Sequence, residues 1–182
     1  MAKRILIAYF SHGGENLIDD KVVNIGMEGN TAKAAKILEK QLIDGGFAAD
    51  LYEISPLEPY SFFYTMVANQ AREEKEKSSY PKLVLGPKNF NDYDTIFLGY
   101  PNWWGSCPRL INSFLKEHDF KGKLVIPFVT HGGQLFLYSL EDIQHEIPGV
   151  KVKEGFAIYA NYMENAPLII KNWIAENLGL LK

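Results

Sequence analysis

The sequence contains one cysteine in 182 residues, Cys107. A single thiol excludes an internal disulfide framework and a metal site built from several cysteines, and it is typical of proteins in a reducing compartment. The four histidines are scattered along the chain and show no spacing that indicates a metal centre. We therefore expect a cytoplasmic protein that binds no metal.

Long hydrophobic runs are also missing. No stretch approaches the roughly 18 apolar residues that cross a bilayer, and the mean hydropathy is −0.14. The opening "MAKRILIAYFSH" holds a short apolar run at 5–10 with no small-residue cleavage site behind it. That pattern predicts a first strand rather than a signal peptide, and we expect no membrane partner.

An excess of charge of one sign is likewise absent, since the net charge is −3 and the isoelectric point is near 5.8. Proteins that bind nucleic acid usually need a basic face, so we expect no nucleic-acid partner. Repeats, low-complexity tracts and linkers do not divide the chain. The length fits one domain over residues 1–182, which can bury roughly 70% of the surface of the unfolded chain.

The sequence does contain five short apolar runs rich in Ile, Val, Phe and Leu. They cover residues 5–10, 48–54, 95–100, 124–130 and 155–160. The first, third and fourth runs are nearly continuous rather than alternating, which indicates strands buried on both faces. Such strands belong to a parallel sheet that helices cover on both sides.

Helical patterns alternate with these runs, over residues 30–46, about 62–78, 107–118, 136–147 and 166–179. The first pattern ends at a Gly-Gly pair and places five apolar residues on one stripe: Ala34, Ile37, Leu38, Leu42 and Ile43. The run "REEKEK" at 72–77 has opposite charges at helical spacing, which predicts a solvated helix face. The alternation of strand and helix predicts a doubly wound α/β fold.

Ligands of doubly wound sheets bind beyond the carboxyl ends of the strands, so the loops after the first, third and fourth runs are candidate sites. The first of these loops ends in Gly29-Asn30-Thr31, where the free N–H groups of a helix start attract an anion. Ser11 and Thr31 add hydroxyl groups, and no lysine or arginine stands in the turn itself. This set suits a phosphate monoester, although the same residues also fit a simple helix cap and turn.

Two adjacent tryptophans, Trp103 and Trp104, occupy the loop after the third run, in "YPNWWGSCPRL". The loop after the fourth run, "VTHGGQLF", has a glycine pair where backbone can approach a ligand closely. Because indole faces stack on flat ring systems, the three loops together predict a site for a planar heterocycle that carries a phosphate. The alternative is that the indoles pack back into the core.

The segments "ILIAYFS", "GNTAKAA", "GYPNWWGSCPRLINSFL" and "FVTHGGQ" resemble the flavodoxin family along the length of the chain. The third segment is the most specific, since it resembles the proline, tryptophan and glycine loop of one bacterial branch. The resemblance implies a five-stranded sheet in the order 2-1-3-4-5, helices on both faces, noncovalently bound FMN, and electron transfer. The partner of such a carrier would be a redox protein or a small electron acceptor.

Transferred by position, the resemblance implies three groups of FMN-binding residues. The phosphate group would be held by Ser11, Asn30, Thr31 and Ala32, with His12 and Asn16 as helpers. The flavin ring would be lined by Pro101, Asn102, Trp103, Trp104 and Gly105. The pyrimidine side of the ring would be closed by Thr130, His131, Gly132, Gly133 and Gln134.

One departure from compact flavodoxins is the insertion of residues 12–28 between Ser11 and the Gly-Asn-Thr turn. We interpret this segment as an excursion that returns to the same helix start, with "KVVNI" as one arm of a hairpin. The interpretation leaves open which residues of the excursion contact phosphate.

Other functions remain open at this level. An NAD(P)H-dependent FMN or quinone reductase would use the same scaffold, with the segment 59–83 as either a second helix, which we favour, or a lid. A hydrolase could use Ser11, His131 or Cys107, but the G-x-S-x-G elbow is absent and Cys107 fits structural packing better. A structural or partner-binding module would leave the agreement of the three loops unexplained. The oligomeric state is open as well.

Overall fold

A computed structural model describes residues 4–177. The strands are β1 (Arg4–Tyr9), β2 (Glu15–Ile18), β3 (Lys21–Asn24), β4 (Ala48–Glu53), β5 (Thr95–Pro101), β6 (Leu124–His131), β7 (Lys151–Val152) and β8 (Ala157–Tyr159). The α-helices are α1 (Asn30–Asp44), α2 (Tyr64–Glu76), α3 (Arg109–Glu117), α4 (Ser139–Glu146) and α5 (Ala166–Asn177). Two 3₁₀ helices cover Phe90–Asp92 and Ala160–Asn165. Within this part of the chain, no helix combines the length and the hydrophobicity needed to cross a bilayer.

The main sheet is parallel and has the order β4-β1-β5-β6, with β7 and β8 both pairing with β6 in the fifth position. In terms of the five apolar runs this is the order 2-1-3-4-5, as the family resemblance implied. β1 lies between β4 and β5. The chain therefore adds β4 on one side of β1 and later adds β5 and β6 on the other side. The cleft expected from such a reversal therefore lies between the carboxyl ends of β1 and β5.

The fifth strand differs from its prediction at 155–160, because two shorter strands take its place. β7 pairs with β6 up to Val125, and pairing resumes only at Val129. Between them stands Pro127, which has no N–H group to donate to a neighbouring strand. Gly155 crosses this gap with its N–H bonded to the Pro127 carbonyl at 3.0 Å.

Two apolar layers cover the sheet. β1 points alternate side chains to each face: Leu6 packs in the layer with α2, α3 and α4, whereas Ile5 and Ile7 pack in the layer with α1 and α5. β1, β5 and β6 are buried over nearly their whole lengths, as their continuous apolar runs predicted. β4 is only half-buried because it lies at the edge of the sheet.

All five predicted helices are present with shifted ends. The predicted helix at 107–118 starts at Arg109, because Pro108 has an extended ψ of 145° before it. Residues 178 and 179 of the predicted last helix lie outside the described residues. On α1 the predicted stripe is only partly correct, since Ile43 is 52% exposed. The small residues Thr31 and Ala35 lie on the buried face instead.

The prediction of a solvated face at 72–77 is wrong at one residue, Glu74, which is 9% exposed. Its carboxylate accepts a hydrogen bond from the Tyr60 hydroxyl at 2.9 Å and another from the Gln70 amide at 3.0 Å. Burial raises the pKa of Glu74, while these two hydrogen bonds oppose the rise. Charge alternation alone does not distinguish such a buried, hydrogen-bonded carboxylate from its solvated neighbours.

The excursion at 12–28 returns to the end of β1, as interpreted from the sequence. β2 and β3 form an antiparallel hairpin separate from the main sheet. At its base, the Gly14 N–H donates to the Gly26 carbonyl at 2.7 Å and the Ile25 N–H donates to the Gly14 carbonyl at 2.9 Å. Gly29 then packs so tightly that an added Cβ would lie 2.3 Å from the His12 carbonyl oxygen and 2.4 Å from Ser11 Oγ.

This close approach predicts that Gly29→Ala destabilises the protein by about 1 to 3 kcal/mol through overpacking. The φ of Gly29 is −72°, which alanine adopts freely, so the effect is steric. Gly45→Ala is the matched control, because its φ is also negative and an added Cβ there lies 3.3 Å from its nearest neighbours. Urea unfolding of both variants measures the difference in their free energies of unfolding. Equal stabilities would contradict the close packing around Gly29.

Candidate functional site

A cleft of about 280 Å³ opens at the carboxyl ends of β1, β5 and β6. It is bounded by the excursion hairpin, by α2 and by the loops that follow these three strands. Of the residues predicted for the site, twelve line the cleft: His12, Asn16, Asn30, Thr31, Pro101, Asn102, Trp103, Trp104, Thr130, His131, Gly132 and Gln134. The other four, Ser11, Ala32, Gly105 and Gly133, are not among the residues that line the cleft.

The start of α1 presents backbone amides to one end of the cleft. The Ala32 N–H donates to Ser11 Oγ at 3.0 Å, and the Lys33 N–H donates to the Gly29 carbonyl at 3.3 Å. The amides of Asn30 and Thr31 have no acceptor among residues 4–177. Two N–H groups at the positive end of the helix are therefore available to an anion. The amide of Ala32 is not, because Ser11 already accepts its hydrogen bond.

Two hydroxyl groups join the first and third loops. Thr31 Oγ1 and Thr130 Oγ1 share a hydrogen bond of 2.7 Å, and both side chains are buried. Only one of the two hydroxyl hydrogens is used in that bond, so one remains for a further acceptor. Ser11 Oγ accepts from Ala32 and can still donate its own hydrogen. The cluster thus adds neutral donors to the amides of the helix start.

Trp103 lies against aromatic side chains rather than standing free. Its ring meets Phe10 at 5.3 Å and Tyr60 at 5.1 Å between ring centroids, both nearly edge-to-face. This packing fixes the indole with part of its surface in the cleft. The two alternatives stated from the sequence therefore both apply to this residue, since Trp103 joins the core and lines the cleft.

Trp104 stands at the mouth of the cleft and is 49% exposed. With Gly105 it forms a two-residue turn, closed by hydrogen bonds in both directions between Trp103 and Ser106. Trp104 has a φ of 53° and Gly105 a φ of 78°. A bulky residue in this left-handed region costs about 1 to 3 kcal/mol, which is a known feature of functional sites. The indole N–H donates to the Ala68 carbonyl of α2 at 3.0 Å.

The side chain of Asn102 connects the second and third loops. Its Oδ1 accepts from the Gly105 N–H at 3.0 Å, and its Nδ2 donates to the Leu135 carbonyl at 2.7 Å. Its backbone N–H donates to the Thr130 carbonyl. Asn102 therefore lines the cleft while its side-chain amide positions both loops. The Trp104 amide is the backbone N–H between 102 and 105 that has no acceptor among the described residues.

His131 is buried at the end of β6, and its ring stacks on Tyr159 with 5.6 Å between centroids. Its Nδ1 accepts a hydrogen bond from the Gly133 N–H at 2.9 Å. An accepting Nδ1 places the ring proton on Nε2. Burial lowers the pKa of His131, which favours the same neutral form.

His12 is the second buried histidine of the cleft. Its Nε2 lies 2.8 Å from the Ser61 carbonyl, and since a carbonyl only accepts, Nε2 carries the proton. Burial lowers the pKa of His12, against a smaller opposing effect of this hydrogen bond. His12 therefore meets the cleft as a neutral imidazole, so it brings no positive charge to a phosphate.

Sequence reasoning missed two walls of the cleft. The hairpin contributes six consecutive residues, of which only Asn16 was predicted; the others are Glu15, Leu17, Ile18, Asp19 and Asp20. α2 and the segment after β8 contribute Tyr64, Val67, Ala68, Ala71 and Ala160. The segment 59–83 forms a helix, as favoured, and that helix also faces the cleft. The small residues Ala68 and Ala71, one turn apart, were the available signal for a helix face that leaves room for a ligand.

The charge of the cleft comes from carboxylates. Glu15, Asp19 and Asp20 line it, whereas no lysine or arginine among the described residues does. An anionic ligand must therefore be held by neutral amides and hydroxyls at the α1 end. This matches the charge-free turn noted in the sequence.

The thiol that a hydrolase would need is unsuited to attack. Cys107 is buried, and this burial raises its pKa to about 12. Its Sγ lies 3.8 Å from Asn112 Oδ1, consistent with a packing role.

Comparison with known proteins agrees with this geometry. The sequence profile of the family described as Flavodoxin matches residues 4–177. The chain belongs to the flavodoxin family.

Solved structures of similar proteins support the assignment. A candidate flavoprotein from Bacteroides uniformis is 29% identical, covers 96% of this flavodoxin and 99% of its own chain, and has a TM-score of 0.74. A second, from Bacteroides eggerthii, is also 29% identical, with coverage of 95% and 96% and a TM-score of 0.72. A flavoprotein from Lactobacillus acidophilus in complex with FMN is 21% identical, with coverage of 94% and 99% and a TM-score of 0.67. At that identity it shows a shared fold. Comparison with curated proteins gave no match.

The two neutral histidines of this flavodoxin predict acid sensitivity of the apoprotein. Because burial lowers the pKa of His12 below its ordinary value near 6.5, the unfolded chain binds a proton that the folded chain resists. The stabilisation is present above pH 6.5 and declines as the pH falls below it. We expect His12→Gln, which keeps a donor for the Ser61 carbonyl, to lose less unfolding free energy between pH 7 and pH 5 than the wild type.

The matched control is His145→Gln, since His145 is exposed. Urea titrations at pH 7, 6 and 5 give the slope of unfolding free energy against pH for the wild type and the two variants. A His12→Gln slope equal to that of the wild type would show that His12 is not held neutral by the fold.

Proposed function

We propose that this flavodoxin binds FMN in the cleft and carries electrons in the cytoplasm, with the whole chain forming one FMN-binding domain. The proposal rests on the amides of Asn30 and Thr31, which have no acceptor among residues 4–177, at one end of a cleft that has two indoles at its other side. FMN has a phosphate and a flat ring system at opposite ends, so the two features fit one molecule. The FMN complex of the Lactobacillus acidophilus relative supports the choice of ligand.

The phosphate end fits a monoester held without counter-charges. The amides of Asn30 and Thr31 lie at a helix start, where the aligned peptide dipoles favour negative charge. The remaining hydrogen of the Thr31–Thr130 hydroxyl pair and the hydroxyl of Ser11 supply further donors, and the carboxylates of the cleft belong to the hairpin rather than to the helix start. Neutral donors in a partly enclosed site make stronger hydrogen bonds to a charged acceptor than to a neutral one.

The ring end fits a planar, partly apolar group. Trp103 is held rigidly by Phe10 and Tyr60, and Trp104 is held by its hydrogen bond to Ala68. Rigid aromatic walls bind a flat ring with little loss of side-chain entropy. The free Trp104 amide and the Nε2–H of His131 offer donors to ring heteroatoms. Bound FMN would supply the redox chemistry, and these residues would set its orientation and exposure.

An electron carrier is favoured over an NAD(P)H-dependent FMN or quinone reductase by the charge of the cleft. A pyridine nucleotide brings at least two phosphate charges, which reductase sites commonly meet with arginine or lysine. Here the described lining offers Glu15, Asp19 and Asp20 instead. These carboxylates repel a second anionic ligand beside FMN but do not hinder electron transfer to a docked partner.

The direct test begins with the purified protein. We expect a yellow protein whose flavin is released by denaturation and identified as FMN by chromatography. The reduced protein should pass electrons to a one-electron acceptor such as cytochrome c, and NAD(P)H with a quinone should give no steady oxidation. A colourless protein that ignores added FMN would refute the proposal, and sustained NAD(P)H oxidation would identify the reductase.

The phosphate part of the site predicts a selective effect of Thr31→Val. The variant keeps the shape of the side chain but removes its hydroxyl, and we expect FMN to bind about tenfold more weakly, as for loss of one hydrogen bond to a charged group. Riboflavin, which lacks the phosphate, should bind both proteins equally. Fluorescence titration measures both affinities.

Thr31→Ser keeps the hydroxyl and serves as the matched control. If Thr31→Val weakened FMN and riboflavin to the same extent, the hydroxyl would act on the fold of the loop rather than on the phosphate.

A further inference from the structure

The hairpin that walls the cleft has little apolar anchoring of its own. All four residues of β3 are exposed, and Ile18 is the buried side chain of β2. The hairpin forms its own two-stranded sheet and does not pair with the main sheet. Because an isolated two-stranded hairpin is marginally stable in water, its position over the cleft depends on contacts at its ends.

Polar contacts hold the base of the hairpin against α2. The Glu15 N–H donates to the Phe62 carbonyl at 2.8 Å. The Glu15 carboxylate accepts the Tyr64 N–H at 2.9 Å, so it also caps the start of α2. These bonds attach the base to one side of the cleft and leave the position of the tip to be fixed elsewhere.

The tip is fixed by Asp19 on the opposite side of the cleft. Asp19 and Asp20 form its two-residue turn, with φ values of 49° and 60°. One carboxylate oxygen of Asp19 accepts the Tyr159 hydroxyl and the other accepts the Asn161 side-chain amide. Asp20 makes no side-chain hydrogen bond or ion pair with the described residues. The two aspartates thus carry the same charge but differ in contact.

The contact between Asp19 and Tyr159 also connects the hairpin to residues that line the cleft. Tyr159, whose hydroxyl is bound by Asp19, stacks on His131, and the Leu17 carbonyl of the hairpin passes 3.1 Å from where a Cβ on Gly132 would lie. Asp19 therefore holds the hairpin across the end of β6. The hairpin thus spans the cleft, from the start of α2 at its base to Tyr159 and Asn161 at its tip.

We propose that Asp19 is a positioning residue whose contact with Tyr159 and Asn161 latches the hairpin over the cleft and thereby controls how fast FMN binds and leaves. The inference rests on the proposed function. Ligand passage requires the tip to separate from Tyr159 and Asn161, while the affinity is set by the helix start and the indoles. Breaking the latch speeds binding and release together and leaves the equilibrium constant nearly unchanged.

The test compares Asp19→Asn with Asp20→Asn in the full-length protein. Both changes remove one negative charge from the cleft, and only the first removes the carboxylate of the latch. Stopped-flow quenching of FMN fluorescence gives the association rate constant, and displacement of bound FMN by excess 5-deaza-FMN gives the release rate constant. We expect both to rise about threefold to fivefold in Asp19→Asn relative to Asp20→Asn, as for loss of one partly solvated charge-assisted hydrogen bond.

Tyr159→Phe provides an independent second variant. It keeps the ring that stacks on His131 but removes the hydroxyl, so it should reproduce the faster binding and release. In the double variant with Asp19→Asn, the rate constants should rise by less than the product of the two single effects, because both changes break the same contact. Thermal unfolding of the apoproteins separates this local effect from a general loss of stability.

The outcomes are distinct. Failure of the wild type to bind FMN would refute the proposed function itself. If FMN binds and both Asp19→Asn and Tyr159→Phe keep the rate constants of the Asp20→Asn protein, the latch is refuted while the proposed function stands. An increase in the release rate alone, with a matching loss of affinity, would show that Asp19 supports bound FMN rather than its passage, and would also overturn the latch.

Discussion

The hydrogen bond from the Ala32 amide to Ser11 Oγ determines where the first helix begins, and the rest of the cleft depends on that position. It joins two residues that are distant in the chain, one at the end of β1 and one in the first turn of α1. Gly29 makes the junction possible, because any side chain there would collide with the backbone of His12. The amides of Asn30 and Thr31 are oriented by this junction.

The three loops at the sheet edge form one connected structure. Thr31 bonds to Thr130, the Asn102 backbone bonds to the Thr130 carbonyl, and the Asn102 side chain reaches both the Trp104–Gly105 turn and the Leu135 carbonyl. Several residues that the sequence indicated as ligand contacts therefore first satisfy one another. Preorganisation of this kind reduces the entropy that a site loses when it binds a ligand.

The sequence predicted the sheet and the helices well because continuous apolar runs and helical stripes are local signals. It also identified the three loops, since strand ends converge wherever the sheet is parallel. It did not identify the hairpin and α2 as walls of the cleft, because the approach of Asp19 to Tyr159 and of Ala68 to Trp104 depends on contacts between distant segments. The burial of Glu74 escaped for a related reason: its hydrogen-bond donor Tyr60 lies outside the helix that contains Glu74. The division of the fifth strand follows from Pro127 in β6, which has no N–H to donate to the fifth strand. The cause therefore lies in the neighbouring strand and not in the sequence of the fifth strand itself.

That division has a consequence for how the molecule behaves at high concentration. β7 has two residues and β8 has three, and a turn of chain through Gly155 interrupts them. The outer border of the sheet on this side therefore offers no continuous row of backbone donors and acceptors onto which a strand of another molecule could add. The proline that shortens the fifth strand thus makes this border, unlike the six-residue edge strand β4, a poor template for an added strand.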